Sequence, residues 1–271
     1  MTDPWAACAA AAEPRRMGGE VLRLVESQEQ VATSRLVATL AEQELLEAML
    51  EASKPPRPAR TAQLDYLLAT PFRYPPLRHG SRFGGRHEPS LFYGARTLTT
   101  VLAESAYYRF VFWHGMTAPP AAKLDTQHTL FGVQWRTAHG LRLQAPPFDA
   151  HRAQLADPAD RVADDQPQLQ RDRQRRRQRR ERQQQQHALG TAMRAAGVEA
   201  FEFVSARDAA GGLNVALFTP KALTKKQPAW QEAWLCELTG VHVRFRAARG
   251  REMHDFPLAA FQVNGALPWP A

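Results

Sequence analysis

The sequence predicts an α+β fold with its strands concentrated toward the carboxyl half of the chain. Apolar residues recur at three- and four-residue steps in residues 27–53 and 98–112, which is the spacing of helices that bury one face. Short apolar or alternating runs bounded by turn residues indicate strands. Such runs occupy residues 20–26, 90–93, 129–137, 140–145, 198–207 and 213–218, and others follow residue 230. The hydrophobic fraction of 44% is ordinary for a globular protein.

The net charge of +8 is concentrated in one short segment. Between Arg171 and Arg182, eight arginines face only Asp172 and Glu181, so this segment holds six of the eight net positive charges. The remaining chain is nearly neutral. Basicity therefore describes one segment and does not make the whole fold a nucleic-acid binder.

The amino terminus and the cysteines indicate the compartment. Asp3 and Pro4 stand where a signal peptide would be basic, and no apolar run is long enough to span a bilayer. Cys8 and Cys236 provide neither a disulfide framework nor a metal quartet. We therefore expect a cytoplasmic protein.

Composition also predicts the domain organisation. We expect residues 1–18 to be a disordered tail, with either Met1 or Met17 as the true start, and residues 19–271 to form a single domain. An insert rich in arginine and glutamine interrupts that domain at about residues 157–187. It is either an arm that binds nucleic acid or acidic proteins, or an expansion that the fold tolerates.

The first strand, residues 20–26, places Arg23 between Leu22 and Leu24. An arginine at this position of an alternating strand is compatible with the surface or with a binding site. The pattern alone leaves both alternatives open.

The segment 27–53 is expected to form an amphipathic helix, or a pair, that ends before Pro55 and covers one face of the core or contacts a second copy. Residues 54–78 are rich in proline and arginine, so we expect an ordered wrap over the core. Arg73 and Arg78 add positive potential near the next turn.

A glycine turn follows, with arginines on both sides. Gly84 and Gly85 let the backbone approach a ligand closely, and the guanidinium groups of Arg82 and Arg86 offer paired donors for phosphate oxygens. The turn is therefore a candidate anion site.

The next strand and helix bring two further candidates. The strand ends at Tyr93, Gly94 breaks it, and Thr97 is a suitable cap for the helix that follows. Glu104 on that helix lies beside the apolar stripe, so its carboxylate is half buried or directed into a cleft.

Later segments complete the α+β pattern. A turn at Gly140 is expected to separate two strands, and His114, His128 and His139 lack the spacing of a metal pair, so we expect no metal. A helix over residues 189–196 precedes a hairpin with Ser205 near its turn.

Three of these elements resemble the RES domain, a family known mostly as the toxins of bacterial toxin–antitoxin pairs. They are the RFGGR turn, the strand ending at Tyr93 with the LAE helix that carries Glu104, and FEFVSARDAAGGLNVAL with Ser205 at the motif serine. The resemblance covers most of residues 20–220. His87 and Glu88 stand where many members have Trp and Asn.

The resemblance implies a fold similar to ADP-ribosyltransferases, with a split β-sheet core, flanking helices and the amphipathic helix over the core. It also implies site roles. Arg23 and the turn arginines would hold phosphate, with either Arg82 or Arg86 as the motif arginine, and Tyr93 would contact the nicotinamide end of NAD. Glu104 and Ser205, with Arg82, would form the catalytic group.

Such a set suits cleavage of an N-glycosidic bond, because one carboxylate can stabilise the positive charge that develops on the ribose. The resemblance implies a NAD glycohydrolase or phosphorylase. Transfer of ADP-ribose to a protein is the first alternative. The second is a catalytically degenerate scaffold that binds nucleic acid or protein through residues 168–186.

The expected partners follow from the same resemblance. They are NAD as substrate and a cognate helix-turn-helix antitoxin, with a homodimer as a further possibility. We expect no membrane partner, and nucleic acid only through residues 168–186.

Overall fold

The computed structural model describes residues 4–27, 36–76, 80–155 and 184–269. These ranges contain both helices and strands, and five of the strands follow one another near the carboxyl end, which confirms the predicted α+β fold. The helices are α1 (Pro4–Cys8), α2 (Leu40–Ser53), α3 (Tyr66–Arg73), α4 (Leu98–His114), α5 (Arg152–Leu155) and α6 (residues 184–195). The strands are β1 (Arg15–Glu26), β2 (Phe92–Ala95), β3 (Leu124–Arg142), β4 (Ala200–Val204), β5 (Leu213–Leu217), β6 (Trp230–Leu238), β7 (His242–Ala247) and β8 (Met253–Pro257).

The described strands form one sheet in the order β1-β2-β5-β4-β3-β6-β7-β8. Strand β1 also pairs with β3, so the first five strands in this order close into a ring. Strands β6, β7 and β8 extend the sheet from β3 beyond the ring. The 19-residue strand β3 allows both arrangements, since it pairs with β1, β4 and β6 along its length.

The predicted turn at Gly140 is wrong, because β3 continues through this residue. Gly140 pairs with Arg15 on one side and with Ala200 on the other. A β-carbon at this position would lie 2.6 Å from Met17 Sδ. The glycine therefore admits the Met17 side chain against the strand and does not reverse the chain.

The ring has one weak junction, between β1 and β2. These strands pair only at Leu22 and Ala95, whereas β1 pairs with β3 from Arg15 to Glu26. The implied split of the sheet is thus confined to the place where β1 and β2 separate.

Helix α4 packs against the outside of the extended sheet. Its buried residues include Leu102, Ala106 and Phe110, and they share a cluster with Trp234 and Phe245 of β6 and β7. A second cluster combines α6 with the outer face of β4 and β5, and a third fills the ring beneath α3. The outer face of β4 and β5 and the helix α4 together position the candidate site.

The prediction that the amphipathic helix covers the core is wrong for α2. None of its residues is buried, and Leu40, Leu45 and Met49 are exposed. At 100° per residue, Glu42 falls inside the apolar stripe, where it interrupts the face that would have to be buried. The helix is capped at Thr39 by a capping box.

The predicted disordered tail is wrong for residues 4–18. Residues 4–11 are helical, and β1 begins at Arg15. Cys8 is buried, and Trp5 stacks on Phe148 with ring centroids 6.2 Å apart. The alanine-rich composition of this segment suggested disorder, but Cys8 and Trp5 attach it to the rest of the protein.

Most of the predicted insert, residues 157–183, lies outside the described residues. Its last residues, 184–187, belong to α6, where Gln186 is buried. In the described parts of the chain, every helix is too short or too polar to cross a bilayer.

Candidate active site

Helix α4 carries Glu104 at the border of its buried face. Thr97 caps the helix, since its side chain accepts a hydrogen bond from the amide of Thr100. The neighbouring residues Ala103 and Ala106 are buried, whereas Glu104 is half buried. The carboxylate therefore reaches from the core toward the outer face of β4 and β5, as the sequence indicated.

Two side chains hold one oxygen of this carboxylate. Ser205 Oγ donates to Glu104 Oε1 at 2.6 Å, and Asn214 Nδ2 donates to the same oxygen at 2.6 Å. Among the described residues, nothing donates a hydrogen bond to Oε2, and no cation forms an ion pair with the group. The second oxygen is thus available to a ligand.

The Ser205 hydroxyl makes three hydrogen bonds, one of them to Glu104. It gives its proton to Glu104 and accepts hydrogen bonds from the amides of Arg207 and Asp208, each at 3.1 Å. The side chain is 4% exposed. With its proton and both lone pairs engaged, Ser205 orients the carboxylate and the following loop.

The loop from Ser205 to Gly212 is fastened to α4 at further points. Thr100 Oγ1 donates to Asp208 Oδ2 at 2.8 Å, and the Arg207 guanidinium lies 3.6 Å from the centre of the Tyr107 ring. A β-carbon at Gly212 would lie 2.0 Å from Thr100 Oγ1, so only glycine allows this approach.

Arg23 lies at the junction where β1 and β2 separate. Its Nη1 donates to the carbonyl oxygen of Tyr93 at 2.6 Å, and its guanidinium stands 5.1 Å from the centre of the Phe92 ring. Its Nε is buried without a hydrogen-bond partner among the described residues. Burial lowers the pKa of Arg23 to about 10, so the group stays charged at neutral pH. A buried, incompletely paired cation is typical of an anion site.

Tyr93 links this junction to the glycine turn. Its hydroxyl lies 3.0 Å from Ser81 Oγ and accepts a hydrogen bond from the amide of Phe83 at 3.4 Å. Burial raises the pKa of Tyr93 to about 12. The phenol is therefore neutral, and its ring packs edge-on against Phe203 with centroids 6.3 Å apart.

The structure separates the two arginines of the turn. The Arg82 guanidinium lies 5.6 Å from the centre of the Phe203 ring and donates to the carbonyl of Leu155. Arg86 is exposed. Arg82 thus adjoins the group that contains Tyr93, whereas Arg86 lies on the outside of the turn.

Strand register brings most of these residues onto one face. Asn214 of β5 pairs with Ala95 of β2 and with Phe203 of β4, and Tyr93 pairs with Ala216. Paired residues project to the same side of a sheet. Tyr93, Asn214 and Phe203 therefore share the outer face toward which Glu104 extends.

Sequence reasoning missed Asn214 and the contact of Arg207 with α4. A signal for Asn214 was present, because it is the single polar residue in the strand sequence LNVAL. A polar residue inside a buried strand needs a partner, and here that partner is Glu104.

Metal-binding groups are absent from the described residues, in which no three His, Cys, Asp or Glu side chains come together in a way that could hold an ion. His128 is buried beside Phe245, with ring centroids 5.9 Å apart.

The comparisons with known proteins identify the family. The model of the RES domain matches residues 57–239, more than half of the 271-residue chain. The matched range contains Arg82, Tyr93, Glu104 and Ser205, whereas Arg23 precedes it. No curated protein is significantly similar to the chain.

Proposed function

Because the chain belongs to the RES domain family, we propose that it degrades NAD by cleaving the bond between nicotinamide and ribose. The observation that carries this assignment is the Glu104 carboxylate, which has Oε1 held by Ser205 and Asn214 and Oε2 left for a ligand. A fixed negative charge of this kind is what an oxocarbenium-like transition state requires.

The leaving group explains why one carboxylate suffices. When the bond between C1′ and the nicotinamide nitrogen breaks, its electron pair passes to the ring nitrogen, which loses its positive charge. Nicotinamide therefore departs without a proton donor. Positive charge develops on the ribose, where Glu104 Oε2 stabilises it.

The cations of the site suit the other half of the substrate. Arg23 lies at the β1–β2 junction with an unpaired Nε and projects to the inner face of the ring, since it pairs with Phe131. Arg82 adjoins Phe203 on the outer face. Guanidinium groups bind phosphate oxygens through paired hydrogen bonds, so we assign both to the diphosphate. Tyr93 accepts the Arg23 hydrogen bond through its carbonyl and packs its ring against Phe203, and we assign it to the nicotinamide end.

The acceptor completes the reaction. A water oxygen that bonds to C1′ and releases a proton gives ADP-ribose, and a phosphate oxygen gives ADP-ribose 1″-phosphate. A protein side chain gives an ADP-ribosylated polypeptide.

The assay is to incubate the purified protein with NAD, with and without inorganic phosphate, and to separate the products by chromatography. We expect free nicotinamide, with a phosphorylated sugar product only if phosphate is the acceptor. Label transferred from NAD to a polypeptide would instead identify a transferase. Intact NAD in the presence of folded protein would exclude all three reactions.

Two variants give this assay its control. Glu104→Gln keeps the shape of the side chain but removes its charge, so we expect turnover to fall at least about 100-fold. Glu44→Gln makes the same chemical change on the exposed helix α2 and should leave turnover unchanged.

The biological role that we propose is that of a toxin held inactive by a helix-turn-helix antitoxin. Depletion of NAD would arrest growth when the chain is expressed alone. Expression of the wild-type chain should stop growth and lower cellular NAD, and Glu104→Gln should do neither. Growth arrest by Glu104→Gln as well would point to a cause other than NAD loss.

A further inference from the structure

Asn214 is a nearly buried carboxamide in the middle of an apolar strand. It is 7% exposed, and its neighbours Leu213 and Val215 are apolar. Burying a carboxamide costs free energy unless it is hydrogen-bonded. Its bond to Glu104 is therefore the reason that the strand tolerates it.

The identity of the donating atom follows from chemistry. An ionised carboxylate only accepts hydrogen bonds, so the group that lies 2.6 Å from Glu104 Oε1 must be the Nδ2 of Asn214. Unlike a hydroxyl oxygen, the amide nitrogen cannot accept a hydrogen bond, so this atom can only donate to the carboxylate. Asn214 thus fixes which carboxylate oxygen is engaged.

Strand pairing makes this donor rigid. Asn214 pairs with Phe203 of β4 and with Ala95 of β2, so its backbone is held from both sides. Ser205, the other donor, lies at the end of β4 and also organises the loop that follows. Asn214 is therefore the donor to Glu104 that stands on a central strand.

We propose that Asn214 is a positioning residue of this site, which holds Glu104 with Oε1 engaged and Oε2 directed to the substrate. This role rests on the proposed cleavage of NAD. Asn214 acts through Glu104 and makes no bond to the reacting atoms.

The first test removes the donor. Asn214→Ala should lower kcat for NAD at least about 30-fold, because Glu104 can then rotate and share its charge with water. KM should stay within about threefold, since phosphate and base contacts are unchanged. Gln134→Ala is the matched control, because Gln134 Nε2 donates to Glu20 Oε1 at 3.1 Å elsewhere in the sheet. It should leave kcat unchanged.

The second test asks whether Asn214 acts through Glu104. In a Glu104→Gln background, Asn214→Ala should change the residual rate by less than about threefold, because the group on which it acts is already altered. Full additivity of the two losses would overturn the positioning role. So would a wild-type kcat in folded Asn214→Ala, or a loss confined to KM.

The third test uses Asn214→Asp, which has the same shape. It replaces a donor with a second acid against Glu104, so the acidic limb of the kcat profile should move to higher pH. The charged groups of the neighbouring loop, Arg207 and Asp208, stay in place in this variant. An unshifted profile with a normal kcat would overturn the assignment.

A measurement without turnover separates this inference from the proposed function. In a 15N-labelled protein, the side-chain amide protons of Asn214 should shift in Glu104→Gln and not in Glu44→Gln. If wild-type protein leaves NAD intact but the shift occurs, the contact stands and the NAD reaction fails. If NAD is cleaved and no shift occurs, the positioning role of Asn214 fails.

Discussion

Arg23 Nη1 lies 2.6 Å from the carbonyl oxygen of Tyr93, where β1 and β2 stop pairing. One backbone acceptor is bonded to a group with five donor hydrogens, and the described residues offer Arg23 no carboxylate. Arg23 therefore bridges β1 and β2 at this junction, and its positive charge is not neutralised by a carboxylate of the described residues and can bind an anionic ligand.

Replacing Arg23 by methionine is expected to separate binding from stability. Loss of a charge-assisted contact to phosphate should raise KM for NAD about 10- to 100-fold. The free energy of unfolding should change little, because the lost hydrogen bond is offset by relief from burying a charge. Steady-state kinetics and thermal unfolding check the two quantities. A large loss of stability with unchanged KM would show that Arg23 serves the fold alone.

Arg96→Met is the matched control for that variant. The Arg96 guanidinium is bonded to Glu202, whose side chain is only 5% exposed. Removing it leaves a buried carboxylate whose remaining partners are the more exposed Arg142 and the neutral amide of Gln144, so we expect a loss of about 3–5 kcal/mol in the free energy of unfolding. We thus predict that Arg96→Met lowers the free energy of unfolding much more than Arg23→Met does.

The sequence was sufficient for the α+β class, and the resemblance for placing Glu104 and Ser205 in the same group of residues. Local signals such as the Thr97 cap and the glycine turn are read directly from the chain. The role of Gly140 could not be predicted in this way. A glycine can form a turn or make room for a neighbouring side chain within a strand, and here the Met17 side chain of another strand decides between the two. Asn214 escaped for the same reason, since its partner is 110 residues away along the chain.

Arg82 and Arg86 are expected to differ in their effect on NAD. The sequence left open which one matches the motif arginine, and only Arg82 adjoins Phe203 and Tyr93. Arg82→Gln should raise KM for NAD at least about tenfold, whereas Arg86→Gln on the exposed side should change it less than twofold. The reverse order in steady-state kinetics would reassign the phosphate contact to the outer arginine.

Ser205→Ala is predicted to reduce both activity and stability. The change removes one donor to Glu104 and leaves the amides of Arg207 and Asp208 without their acceptor. Loss of these bonds should cost about 1–3 kcal/mol in the free energy of unfolding, and kcat should fall together with it. Asn214 makes no contact with this loop like those of Ser205. Asn214→Ala should therefore reduce kcat with a smaller loss of stability than Ser205→Ala. Denaturant unfolding of both variants checks this order.

His128 predicts how stability depends on pH. Burial, and then the positive charge of Arg109, lower the pKa of His128 to about 4 from an ordinary 6.5. The unfolded chain therefore binds a proton between these values more readily than the folded chain does, and stability falls as pH drops from 6.5 toward 4. Thr126 Oγ1, 3.0 Å from His128 Nε2, is a neutral partner that does not favour the charged ring.

His128→Gln should flatten this dependence, because it removes the proton-binding group while an amide can still bond to Thr126. Melting temperatures of wild type and variant, measured from pH 7.5 to 4.5, should converge at the acidic end. His139→Gln is the control, since His139 is exposed and lies farther along the same strand. Parallel curves for wild type and His128→Gln would assign the acid sensitivity to carboxylates such as Glu26, which pairs with Arg109 in the same region.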